Sequence, residues 1–190
     1  MDTQNRSKQT SRFVILVPHR DSLKPLEAYR QKLFAAGFCG AYSFPLAAPL
    51  ASVSRPLSRE ELKELARNVR DDLCGRKTAK IQSAETAFAR CGPLSFLGIF
   101  LDFSVEEALF PRSAREKIIA MPDSPVLCAA LADSGEKRVL EEAPVLSFRA
   151  ASLANLALRP LSNGDPRCSF EWKIDPPVWL PKYRGKVLIP

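Results

Sequence analysis

Ser58-Arg59-Glu60-Glu61 is the most constraining stretch of this sequence. It has the form of a capping box: the Ser58 hydroxyl accepts from the Glu61 amide, while the Glu61 carboxylate reaches back to the Ser58 N–H. Behind it Leu62, Leu65, Ala66, Val69 and Leu73 recur at helical spacing, and Gly75 stands where a helix stops. The pattern predicts a helix over 58–74 with one apolar stripe. Such a helix is stable only when its stripe is covered. The flanking segments are strand-like, so the expected cover is a sheet.

Phe13-Val14-Ile15-Leu16-Val17 is a short apolar run closed by Pro18 and reads as a buried strand. Leu26, Tyr29 and Leu33 then follow at helical spacing, with Ser22 as the expected N-cap, Pro25 in the first turn and Gly37 at the end. This predicts a helix over 23–36. Segments 42–46 and 49–53 are extended pieces interrupted by Pro45 and Pro49, which points to an edge or bulged strand. Runs 81–90 and 94–103, joined by Cys91-Gly92-Pro93, predict a hairpin. Residues 111–120 predict a short helix and 125–132 a buried apolar strand. Runs 145–158 and 168–174, around the turn Ser162-Asn163-Gly164-Asp165, predict a closing strand pair. The order is β-α-β-α-β-β-α-β-β-β without an internal repeat. That pattern is α+β, not a doubly wound parallel sheet.

At 190 residues the chain is long enough to bury a core without disulfide or metal. Its net charge of +7 divides as +2 over residues 1–12, +3 over 181–190 and only +2 over 13–180. The expected organisation is therefore a basic arm (1–12), a single domain (13–180) and a basic tail (181–190). The tails could touch phosphates without specificity, but the nearly neutral body carries no nucleic-acid signature of its own. Apolar runs fall short of the ~20 residues a membrane helix needs, and the N-terminal stretch lacks a secretory core. Five dispersed cysteines, without a C-x-x-C pair, fit reduced thiols. A cytoplasmic location away from membranes is expected.

The chain holds one histidine, His19, in Pro18-His19-Arg20-Asp21 at the end of the first strand. It is the candidate for any Ser-His-Asp or Cys-His chemistry. Carboxylates Glu85, Asp102, Glu106 and Glu107 lie on or after the hairpin strands and are the candidate acids. There is no glycine-rich phosphate loop and no Cys/His pair at metal-ligand spacing, so neither cofactor nor metal is expected.

The element order and several local phrases resemble the two-histidine (2H) phosphoesterase, or 2′-5′ RNA ligase-like, superfamily. In that family a strand carrying Pro-His-x-Thr-Leu precedes a helix; Pro49-Leu50-Ala51-Ser52-Val53, then Arg55-Pro56-Leu57 and the capped helix, occupy that place. A second such strand belongs where Pro125-Val126-Leu127-Cys128-Ala129 stands. The run 94–103 resembles the family's strand pair, and 148–158 with Phe170-Glu171-Trp172-Lys173-Ile174 resembles its closing pair. The resemblance implies curved antiparallel or mixed sheets in two lobes, with helices packed outside. It implies a nucleotide, an RNA end or another anionic ligand as partner, and catalysis by two facing histidines acting as base and acid. Here Leu50 replaces the first histidine, and Val126, or Cys128 in a shifted register, replaces the second. Leucine and valine transfer no protons, so the family's acid–base chemistry lacks its groups.

Three readings follow. One is a non-catalytic relative that keeps a groove for an anionic ligand, with Ser52, Ser54 and Arg55 as ligand-binding candidates. A second is a phosphoesterase using other residues, with His19, Ser52 and an acid such as Glu85. The third is an interaction or structural domain whose groove is filled by side chains.

Overall fold

A computed structural model of the chain describes residues 10–75, 81–83, 86–101, 105–132, 146–148, 150–161 and 169–181. Strand β1 (Ser11–Pro18) is its organising element. Helix α1 (Arg20–Ala35) follows directly. Strand β2 (Ala48–Val53) runs back antiparallel to β1. Helix α2 (Arg59–Gly75) then leads to the short strand β3 (Ile81–Ser83). The hairpin β4 (Thr86–Cys91) and β5 (Leu94–Phe100) precedes helix α3 (Arg112–Arg115) and strand β6 (Ile118–Ala120). Strands β7 (Val126–Ala132), β8 (Leu146–Phe148), β9 (Ala150–Pro160), β10 (Phe170–Ile174) and β11 (Val178–Trp179) complete the order. The protein is α+β.

One sheet has the order β10-β9-β1-β2-β6, with β11 also on β9; a second has the order β4-β5-β7, and β3 pairs with β8. Every pairing is antiparallel. The Cys128 N–H donates to the Ala47 carbonyl at 3.0 Å and so ties β7 to the entry of β2. Helix α1 packs toward β7 and helix α2 toward β9 and β11. Leu62, Leu65 and Val69 are buried under α2 as the stripe requires. Both arms of its capping box form, Glu61 N–H to Ser58 Oγ at 3.2 Å and Ser58 N–H to Glu61 Oε2 at 2.6 Å.

Two apolar clusters flank the sheets. One holds the inner faces of both helices with Val14, Leu16, Leu50, Leu97 and Leu127. The other contains no helix residue and holds Phe13, Ile15, Phe44, Phe96, Val126, Cys128 and Leu156.

Several local expectations are corrected. Strand β2 is not an edge strand: it lies between β1 and β6 with all six residues buried. Pro49 is tolerated there because the β1–β2 register slips between Val14 and Ile15, whose partners are Ala51 and Pro49, leaving Leu50 as the extra residue of a bulge. Helix α1 begins earlier than Ser22, with His19 at the N-cap and Ser22 buried inside the helix. Segment 42–46 is not a strand: Tyr42 closes a 3-10 turn (Cys39–Tyr42), and no strand follows before Ala48. Segment 111–120 is not one helix; after a single turn, Ile118 pairs with Val53 and Ala120 with Ser52. Strand β3 belongs with β8 and not with the hairpin. The 162–165 turn, Glu85 and Asp102 lie outside the described residues.

Candidate functional site

The two strands expected to carry catalytic groups are placed next to each other, and their motif side chains are buried. Leu50, Val126 and Cys128 each have no exposed surface. Leu50 sits in the helix-side cluster while Val126 and Cys128 sit in the other, so the two motif positions share no open space. The second cluster is centred on three edge-to-face phenylalanines, with ring centroids 5.9 Å apart for Phe13–Phe44, 6.0 Å for Phe13–Phe96 and 4.9 Å for Phe44–Phe96. Rings packed in this way gain beyond their area burial and leave little room for water.

Ser52 is buried opposite Phe13. Its hydroxyl lies against Gly92 of the β4–β5 turn, 2.9 Å from where a Cβ would stand. Gly92 has φ +60°, so the turn needs a glycine for its backbone as well as for this approach. Ser54 and Arg55 are exposed, yet both are engaged internally. Ser54 donates through its N–H and Oγ to the Lys117 carbonyl, and Arg55 donates to Glu116 Oε1 at 2.7 Å. Beside them Lys117 Nζ donates to both oxygens of Glu61 at 2.7 and 2.6 Å, with both side chains about nine-tenths buried. Burial opposes ionisation of Glu61, but hydrogen bonds from Lys117, Ser58 and Ser113 together with the Lys117 charge outweigh it and hold the carboxyl below its ordinary value. The Ser54–Arg55 corner is a structural joint between β2, α2 and β6.

The most deeply placed cation is Arg30, which sequence reasoning missed. It is 6% exposed, donates through Nε to the Ala129 carbonyl at 3.0 Å and through Nη2 to the Phe44 carbonyl at 2.8 Å, and lies over the Tyr42 ring. Burial is the largest influence and lowers its pKa, against the raising influence of Cys128, Glu27 and Tyr42. Burial also pushes the Cys128 thiol up to about 12 despite the Arg30 charge, and the Cys91 thiol likewise to about 12. Neither thiol is an available nucleophile near neutral pH. Asn155 is buried in β9 and acts as a backbone mimic: it accepts from the Leu57 N–H and donates to the Leu57 carbonyl, both at 2.9 Å. That pair pins the loop leading into α2.

His19 stands at the other end of β1. Six residues separate it from Phe13, roughly 20 Å of extended strand, so His19 and Ser52 cannot act on one substrate atom. Its Nδ1 lies 2.9 Å from Asp21 Oδ2 and 3.4 Å from the Asp21 nitrogen. One atom cannot donate to the first and accept from the second. The shorter contact selects a protonated Nδ1 donating to the carboxylate. Here α1, β1, β9 and β11 border a half-open cavity of about 320 Å³. Val17, Leu23, Ala151, Ile174 and Trp179 supply apolar wall; His19, Arg20 and Ser152 supply the polar groups. Glu106 and Glu107 are exposed at a 3-10 turn, away from this cavity's lining.

No family model, curated protein or solved structure matches this chain. Among the described residues, no helix is long and apolar enough to cross a membrane, and no three His, Cys, Asp or Glu side chains stand together as a metal-ligand set.

Proposed function

We propose that the chain is a non-catalytic domain of 2H phosphoesterase-like architecture, with its central groove converted into core, and that it serves as an interaction or structural domain. The carrying observation is the complete burial of the motif positions, Val126 and Cys128 in the three-phenylalanine cluster and Leu50 in the helix-side one. General acid–base catalysis needs a donor and an acceptor within reach of the reacting atoms. The described groups near those strands are a leucine, a valine, a covered serine and a thiol with a pKa of about 12. Large apolar side chains at the surface, Ile119 at 63% and Trp172 at 43% exposed, favour a partner-facing role over a sealed enzyme core.

The test is an assay of 2′,3′-cyclic nucleotide hydrolysis without metal, run beside a binding titration of the same nucleotide. The expected result is neither turnover nor binding in the groove, with wild type and His19→Ala indistinguishable. Robust turnover would overturn the non-catalytic reading. Binding that is lost on Ser52→Ala, without turnover, would restore an open ligand groove in place of the filled one.

A further inference from the structure

The cavity at the start of α1 is built unlike the rest of the surface. Its volume of about 320 Å³ is in the range of small-molecule sites. It is about twice a dry cavity that accepts benzene, ~150 Å³. Its walls are apolar, and Trp179, 69% exposed, stands at the rim as an unpacked aromatic plane. The polar groups lie together. Ser152 is 2% exposed and lines the cavity. A hydroxyl beside a cavity can both donate to and accept from a molecule placed there.

The same cavity is bordered by the first turn of a 16-residue helix, whose positive dipole end favours negative charge. Arg20 adds a cation to the lining, and its nearest recorded acid is Asp21 at 3.9 Å. Asp21 is the acid of the first turn, but it is not part of the lining; it is 69% exposed and held by His19 Nδ1. We infer that this cavity binds a small, mostly apolar molecule bearing one anionic head, an aromatic carboxylate in the first instance. The ring stacks on Trp179 between Val17, Leu23 and Ile174, and the carboxylate takes the Ser152 hydroxyl and the Arg20 guanidinium. A nucleobase fits worse, because its several edge donors and acceptors would face a wall that offers mainly hydrocarbon. This inference is independent of the filled groove: it places the ligand at the opposite end of β1.

The experiment is calorimetric titration of the full chain with 2-naphthoate, with 2-naphthylmethanol and AMP as comparison probes. Saturable one-to-one binding of naphthoate is expected, weakened at least tenfold for the uncharged alcohol. Ser152→Ala should weaken naphthoate binding about tenfold, the size of one hydrogen bond to a charged group. Ala151→Phe fills the cavity and should abolish binding. Trp179→Ala, at a site too exposed to bear on folding, should weaken it as well and serves if Ala151→Phe does not fold. Absence of naphthoate binding overturns the inference. So does binding unchanged in Trp179→Ala or in a folded Ala151→Phe, equal affinity for the alcohol, or tighter binding of AMP at this site.

Discussion

The two ends of β1 are built for different purposes. At the Phe13 end each neighbour closes space: Phe44 and Phe96 pack edge-to-face, the β4–β5 turn covers Ser52, and nearby polar groups are paired. At the His19 end the strand runs into a cavity lined by Ser152 and an exposed tryptophan. The polar groups differ accordingly. Glu61, Lys117 and Arg30 are held by buried internal bonds, while Arg20 is 89% exposed with only a long 3.9 Å contact to Asp21. A strand can therefore carry an architecture at one end and leave recognition to the other. A family motif read along the first end is silent about the second.

The comparison breaks if the filled end proves soft. Phe13→Ala removes the ring shared by two of the edge-to-face pairs and should cost about 3–5 kcal/mol, read as a fall in the urea midpoint. An unchanged midpoint would mean that the cluster is not the core. The Glu61 joint gives a smaller effect with a pH signature. Glu61→Gln should cost about 2 kcal/mol near neutrality, because Lys117 loses its charged partner. The wild-type carboxyl has a folded pKa below its unfolded value. Its contribution is thus complete above the unfolded value of ~4.3 and fades as pH falls through the folded one. The gap between wild type and Glu61→Gln should shrink with acidification in urea melts; a gap independent of pH would remove the charge from the account. The smallest effect belongs to the open end. Trp179→Ala should change stability by less than about 0.5 kcal/mol, since the side chain is mostly in water. A loss comparable to that of Phe13→Ala would make the tryptophan a core residue and erase the contrast.

Helix α2 was legible because its information is local: the capping box and the stripe lie within one run of residues. Strands β1, β5 and β7 were legible as apolar runs too short for anything else. Pro49 pointed to an edge or a bulged strand because it cannot donate; the bulge against β1 is the alternative that holds, and it lets β2 lie inside the sheet. The 111–120 segment read as helix because its strand, Ile118–Ala120, is defined by Ser52 and Val53 far away in sequence. Arg30 was overlooked although its position is on the page: it falls four residues after Leu26 and three before Leu33, within the buried stripe of α1. The cavity left no such trace. Its lining comes from residues 17–23, 151–152 and 174–179, which only tertiary pairing assembles.

The position of β1 also sets an order of events during synthesis. It is a central strand whose partners are β2, made soon after it, and β9, made long after it. A nascent chain emerging from a ribosome therefore carries β1 with one edge unpaired until residues 150–160 appear. An apolar strand waiting with open backbone groups is a template for wrong pairings. In such a chain, slower synthesis between β2 and β9 lengthens the time for which that open edge can mispair.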